Sequence, residues 1–240
     1  MWRYTVCMLT LFQPPRAWGT PSSSVFSTKV ETYLRMADIP YKVEWSPTTV
    51  RRAPRGKVPF IELDGRLVGD STRIVTHLKE RLGDTVDTHL DAAQHALGHL
   101  LQRTLEEGTY WGLVYDRWVN DDNFERVREA LFAGFGALRW VLPDLVRRKM
   151  LGSIYAQGTS RHEPAYIYDT VARDFDAVGQ QLGERPYLFG EQPSSYDAVL
   201  YAFSSGIWNT PFASAFKPPP PNVRAHLERM HRRYFPELPA

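Results

Sequence analysis

Along the first third of the chain, apolar positions switch between two periods. The run YTVCMLTLF (4–12) is nearly continuously apolar over the length of a strand. The next segment, VFSTKVETYLRMA, sets Val25 or Phe26, Val30, Tyr33, Leu34 and Ala37 at helical spacing and predicts an amphipathic helix. IPYKVEW (39–45) alternates and predicts a strand. VPFIEL and RLVG are two short strands joined by Asp64-Gly65, a pair that favours a two-residue hairpin. DSTRIVTHLKERLG then predicts a helix with Ser71 at its start and Gly83 just past its end.

The predicted order is β-α-β, a loop, then β-β-α. A strand, helix and strand in that order favour a parallel pair with a right-handed crossover, and the hairpin adds antiparallel strands at the edge. That outline is thioredoxin-like, although the same string suits other small α/β domains. From about residue 88 strand patterns nearly vanish. A long amphipathic stretch (87–119) is followed by NFERVREALFAGFG, LPDLVRRKMLGSIYAQG, AYIYDTVARDFDAVGQQLG, SSYDAVLYAFSSGIW and NVRAHLERMHRRYF, all helical in period. The polar segment GDTVDTHL separates the halves, so two domains are expected, 1–84 and 88–240. The run Pro218 to Pro221 reads as a rigid turn entering the last helix.

At 240 residues the chain has room for both domains. A net charge of +2 provides no strong field to recruit nucleic acid or an anionic membrane. The basic cluster Arg147-Arg148-Lys149, near the end of a helical pattern, is expected to favour the negative helix terminus. The single cysteine, Cys7, excludes an intramolecular disulfide and a Cys-x-x-Cys centre; it reads as a core thiol of the first strand in a reducing compartment. No run approaches the roughly 18 apolar residues of a membrane span, and a soluble cytoplasmic protein is expected. His95 and His99 share a helix face, but no third ligand lies near them in sequence. They read as solvent-facing, and no metal is expected.

Three motifs carry a resemblance. GKVPFIELDG (56–65), GDSTRIVTHLKERLG (69–83) and YLFGEQPSSYDAVLYAF (187–203) resemble the Val-Pro strand, the acid-Ser helix start and the capped C-terminal-domain helix of soluble glutathione transferases. SSSVFSTKVETYLRMADIPY, LEEGTYWGLVYDRW and LVRRKMLGSIYAQGTSRH are similar to the branch containing metaxin-like and failed-axon-connections-like proteins and their bacterial relatives. The resemblance spans almost the whole chain. It implies a thioredoxin-like N-terminal domain followed by an all-helical C-terminal domain, with glutathione as cosubstrate, a small apolar electrophile as its partner, a homodimer, and a detoxification role without metal.

The resemblance also assigns residues. SVFS (24–27) stands where thiol–disulfide relatives carry Cys-x-x-Cys, so Ser24 takes the thiolate-stabilising role, with Ser22 and Ser23 as rivals. A thiol of pKa near 8.5 needs about 2.7 kcal/mol to fall by about two units. A hydroxyl bonded to the charged sulfur supplies about 1.5–3 kcal/mol, and a helix N-terminus adds about 0.3–1. The plainer reading of Ser24 is an N-cap. Trp18 in the preceding loop, Lys57, Val58 and Pro59 would meet glutathione, with the Val58-Pro59 bond cis and the valine backbone offered as an added strand. Asp70 would take the γ-glutamyl ammonium, and Ser71 with the helix start its carboxylate. Tyr110, Trp111, Tyr115, Trp118 and Trp208 would line the second-substrate pocket, against a plainer role in an interhelical core. Ser194 and Asp197 form an S-x-x-D capping box.

A non-catalytic metaxin-like adaptor is the alternative, and a glutathionyl or disulfide reductase stands last because Ser24 is not cysteine. Two departures from the better-known transferases touch the site: a long loop before Ser24, and Val25 where close relatives often have proline.

Overall fold

A computed structural model describes residues 8–46, 48–212 and 215–239. Cys7 lies outside them, as does the start of the first predicted strand. The four strands β1 (Leu9–Phe12), β2 (Tyr41–Glu44), β3 (Phe60–Leu63) and β4 (Arg66–Gly69) form one sheet in the order β2-β1-β3-β4. β1 pairs parallel with β2, in register Leu9↔Tyr41, and antiparallel with β3; β3 and β4 are antiparallel. Asp64 (φ 53°) and Gly65 (φ 74°) are both left-handed, as a type I′ hairpin turn requires, and this sets Leu63 opposite Arg66.

Helix α1 (Val25–Met36) makes the crossover between β1 and β2. A short turn, α2 (Thr49–Arg52), interrupts the expected loop; Arg52 lays its guanidinium over Phe12 and donates to Glu62. Helix α3 (Ser71–Leu82) follows β4. One cluster forms the main core of this domain: Val30, Tyr33 and Leu34 of α1 and Ile74 and Leu78 of α3 meet Leu9, Leu11 and Ile61 of the sheet. Val30, Leu34, Ile61 and Ile74 are wholly shielded from water, and each such aliphatic side chain contributes about 1.5–3 kcal/mol.

The long amphipathic stretch forms α4 (Ala92–Arg103), capped reciprocally by Asp91 and Gln94, then a π-helical turn (Thr104–Thr109), then α5 (Tyr110–Trp118). The π turn has no counterpart in the sequence pattern. The remaining helices are α6 (Asp121–Phe132), α7 (Leu142–Gln157), α8 (Pro164–Leu182), α9 (Ser195–Trp208) and α10 (Pro221–Tyr234), with a 3₁₀ stretch (Ala133–Trp140) before α7. Pro221 occupies the first position of α10, where a missing N–H costs nothing.

From Asp197 to Ile207 every residue of α9 is buried, which suits a helix apolar on all sides at the centre of its domain. Asp197 closes the expected capping box: its carboxylate accepts from the Ser194 N–H at 2.8 Å and the Ser194 hydroxyl at 2.7 Å. The other oxygen accepts from the Leu188 N–H and lies 3.0 Å from His226 Nε2. This is a folding element.

The basic cluster requires a correction. Arg147-Arg148-Lys149 lies mid-way along α7, because the helix continues to Gln157, and its last turn holds no basic residue. Arg147 serves a different helix end, donating to the Trp118 and Val119 carbonyls at the close of α5 and to Asp121. Among the described residues no helix is long and apolar enough to cross a membrane.

Candidate functional site

The three serines before α1 have different surroundings. Ser22 is buried; its hydroxyl donates to the Pro14 carbonyl at 3.0 Å and receives the Ser24 N–H at 3.3 Å. Ser23 is also buried, and its hydroxyl has no partner among the described residues. Ser24 is half-buried and caps α1, accepting from the Ser27 N–H at 3.4 Å. That distance is beyond the usual range for such a bond, so the Ser24 oxygen is weakly held.

Behind this turn stands a residue that the sequence patterns did not single out. Arg117 of α5 is buried, and its fork donates to the Ser23 carbonyl at 2.9 Å and to the Gly206 carbonyl of α9 at 2.8 Å. Trp18 and Phe212 face the guanidinium at 5.3 and 5.2 Å. Burial pushes the Arg117 pKa down to about 10, against the pull of Asp116. The arginine thus anchors the serine turn to the helical domain and takes up the negative end of the Ser23–Ser24 peptide, adding to the positive potential at the start of α1. Trp18, at φ 57° in the turn Ala17–Thr20, packs on this arginine and on Phe212.

The Val58-Pro59 bond is cis. Lys57 is exposed, Val58 half-buried and Pro59 buried at the entry to β3. Asp70 caps α3 with φ 83° and ψ 123°, a region L-residues rarely occupy and one that costs about 1–3 kcal/mol. Its carboxylate accepts from the Thr72 and Arg73 N–H groups, both at 3.1 Å. Next to it Ser71 is buried, and Lys29 Nζ lies 3.4 Å from its hydroxyl. Lys29 also makes a buried ion pair with Glu106 of the π turn at 2.6 Å. Burial lowers the Lys29 pKa and the Glu106 carboxylate opposes that shift.

The structure therefore links the Ser22–Ser24 turn to Trp18 through Arg117, and Ser71 to α1 through Lys29. A legible signal marked both missed cations. Lys29 stands four residues from Val25 and from Tyr33, and Arg117 four from Leu113, so each interrupts a buried helical stripe with a charge.

The aromatic residues divide differently. Tyr110 is half-buried and packs on Phe26 in the first turn of α1, ring centres 4.9 Å apart, with Trp111 beside it at 5.4 Å. Tyr115 meets Tyr168 of α8, and Trp118 meets Phe124 of α6. Trp208 packs on Phe175 and borders a hollow of about 90 Å³ with Phe216 and Pro220. Of these five, Tyr110 is the one whose ring meets α1's first turn, with Trp111 against Tyr110; the others join separate helix contacts. His99 is exposed as expected, whereas His95 is partly buried against Tyr196. Among the described residues no group of three or more metal-ligating side chains gathers.

A mixed four-stranded sheet with a cis Val-Pro strand, joined to a helical bundle, defines the class: a thioredoxin-like domain with a glutathione-transferase-type helical partner. Residues 25–123 match the family model of the glutathione S-transferase N-terminal domain, and 171–231 that of its C-terminal domain. An isoprene-epoxide glutathione S-transferase of Rhodococcus sp. (strain AD45) is 32% identical over 237 residues, covering 95% of this chain and 99% of that one. Failed axon connections of Drosophila melanogaster is 26% identical over 96% of this chain and 59% of its own length, and metaxin-1 of Sus scrofa 26% over 93% and 71%. A glutathione transferase of Phanerochaete chrysosporium superposes with a TM-score of 0.69 at 13% identity over 96% of this chain and 99% of that one. The chain belongs to the glutathione S-transferase family, in the branch that also holds the metaxins, and glutathione is that family's cosubstrate.

Proposed function

We propose that this chain is a serine-type glutathione transferase in which the Ser24 hydroxyl stabilises the glutathione thiolate. The observation that carries the reading is the exposure of the three serines. Ser22 and Ser23 are buried, while Ser24 is only partly buried and its loosely engaged oxygen stands at a helix N-terminus. The hydroxyl donates to the sulfur, the α1 terminus favours its negative charge, and Arg117 reinforces that field from behind.

Glutathione would lie along Val58-Pro59, with Trp18 and Lys57 nearby, its γ-glutamyl end at Asp70 and Ser71. Tyr110, Trp111 and the neighbouring Phe26 supply an apolar wall for the electrophile, with Tyr115, Trp118 and Trp208 as outlying members of the pocket. The Rhodococcus relative is named for an isoprene epoxide, and a small apolar epoxide suits this wall. The thiolate attacks an epoxide carbon, a carbon–sulfur bond forms, the carbon–oxygen bond breaks, and the alkoxide takes a proton from solvent. A division at 1–84 and 88–240, a homodimer and a cytoplasmic setting belong to the same reading. The metaxin relatives favour a second reading, a non-catalytic adaptor.

The test is calorimetric glutathione binding by wild type, Ser24→Ala and Asp70→Ala, with the ultraviolet thiolate band titrated against pH in each complex. Loss of a hydrogen bond to charged sulfur should raise the bound thiol's pKa in Ser24→Ala by roughly one to two units. Asp70→Ala should weaken binding and leave that pKa in place. An unchanged thiol pKa in Ser24→Ala overturns the serine, and a wild type that does not bind glutathione turns the reading to the adaptor.

A further inference from the structure

Beneath Ser71 a buried polar network joins α1, the start of α3 and the π turn. Lys29 is 3% exposed, and its ammonium has three acceptors: Glu106 Oε1 at 2.6 Å, Thr72 Oγ1 at 2.9 Å and Ser71 Oγ at 3.4 Å. Glu106 is 7% exposed; its second oxygen accepts from Gln102 Nε2 at 3.0 Å, and the same amide donates to Thr72 Oγ1 at 2.8 Å. An ammonium only donates, and it has three protons. Toward Lys29 both hydroxyls can only accept, Thr72 at full hydrogen-bond distance and Ser71 more weakly at 3.4 Å, so neither aims its one proton at the ammonium.

The backbone narrows where those protons are useful. Asp70 already occupies the Thr72 and Arg73 N–H groups. An anion arriving at this terminus is left with the Ser71 N–H and the outward hydroxyl protons. The π turn has a matching role. A one-residue π insertion re-aims the side chains around it, a feature frequent at functional sites, and here the inserted turn is the one that carries Glu106. Glu106 neutralises Lys29, so the lysine acts on the site through hydrogen-bond direction.

We propose that Lys29 is a positioning residue for the γ-glutamyl carboxylate of glutathione: paired with Glu106, it holds the Ser71 and Thr72 hydroxyls as outward-facing donors. This rests on the glutathione-binding reading above. A purely structural role, docking α1 and α3 against the π turn, would leave ligand preference untouched, and the two roles separate in one experiment.

Calorimetry would compare glutathione with 4-aminobutyryl-cysteinyl-glycine, which lacks only the γ-glutamyl carboxylate. The variants are Lys29→Met/Glu106→Met, which removes both charges at similar volume, Glu106→Gln, which keeps an acceptor for Lys29 but removes its neutraliser, and Ser71→Ala. The preference for glutathione over the analogue should fall about tenfold in the double variant. Ser71→Ala should lower it in the wild-type background and have little further effect in the double variant. In Glu106→Gln the ammonium keeps Asp70 as its one remaining acidic neighbour, and the positive charge freed from Glu106 should raise it, so this variant still decides if the double one does not fold. A double variant that keeps the wild-type preference, one that weakens both ligands equally, or a Glu106→Gln preference that stays or falls would overturn the proposal while leaving glutathione binding in place. A wild type that binds neither ligand removes the glutathione reading and this inference together.

Discussion

The contact between α1 and α9 can be tested through the sign of a single substitution. A Cβ at Gly206 would lie 2.5 Å from Val25 Cγ1, closer than real carbon atoms approach. Val25 is the first residue of α1, immediately after Ser24, and is 3% exposed. Valine in a helix has one strongly preferred rotamer and cannot swing aside cheaply. Gly206→Ala should therefore incur an overpacking cost of about 1–3 kcal/mol, partly offset by the helix propensity that alanine gains over glycine, about 1 kcal/mol. The net expectation is a loss of up to about 2 kcal/mol.

In a Val25→Ala background the clashing methyl is gone. The next neighbours, Arg117 Nη2 at 3.6 Å and Leu113 Cδ1 at 3.9 Å, are ordinary contacts. There Gly206→Ala should stabilise, by up to about 1 kcal/mol. Urea unfolding of the four proteins in this double-mutant cycle measures both steps. A Gly206→Ala effect of the same sign and size in both backgrounds refutes the packing argument.

Two further expectations follow from the charged groups. Arg117→Met leaves the Ser23 and Gly206 carbonyls without their donor, and at about 1.5–3 kcal/mol per charged hydrogen bond it should destabilise by several kcal/mol in urea unfolding; Arg117→Lys should recover only part, because an ammonium lacks the planar fork that spans both carbonyls. A Lys variant as stable as wild type contradicts this account. Glu237 is held down to about 2 by the hydrogen bond from Arg35. A carboxylate depressed in the folded state stabilises above its unfolded pKa of about 4.3 and loses that contribution as pH falls toward the folded value. The melting-temperature gap between wild type and Glu237→Gln should be modest at neutral pH, since the pair is part-exposed, and should shrink as pH falls from about 5 to about 2; a constant gap counts against it.

The amino-acid sequence by itself determined the order of elements and most of their ends. Alternating and helical periods, the Asp64-Gly65 turn, the Ser194/Asp197 box and Pro221 at a helix start act within a few residues, and the structure forms each of them. Ser24 as an N-cap and Asp70-Ser71 at the start of α3 were legible for the same reason. Which of the three serines stays partly exposed was not, because it depends on Pro14 and Pro15 folding back over Ser22 and Ser23. Nor was the π turn, whose extra residue shifts the helical phase without any local marker. Arg117 reaches Ser23 across 94 residues and Lys29 reaches Glu106 across 77. A charge on a buried stripe announces that a partner must exist, since burying it alone is too costly; only the packing of the two domains decides which group that partner is.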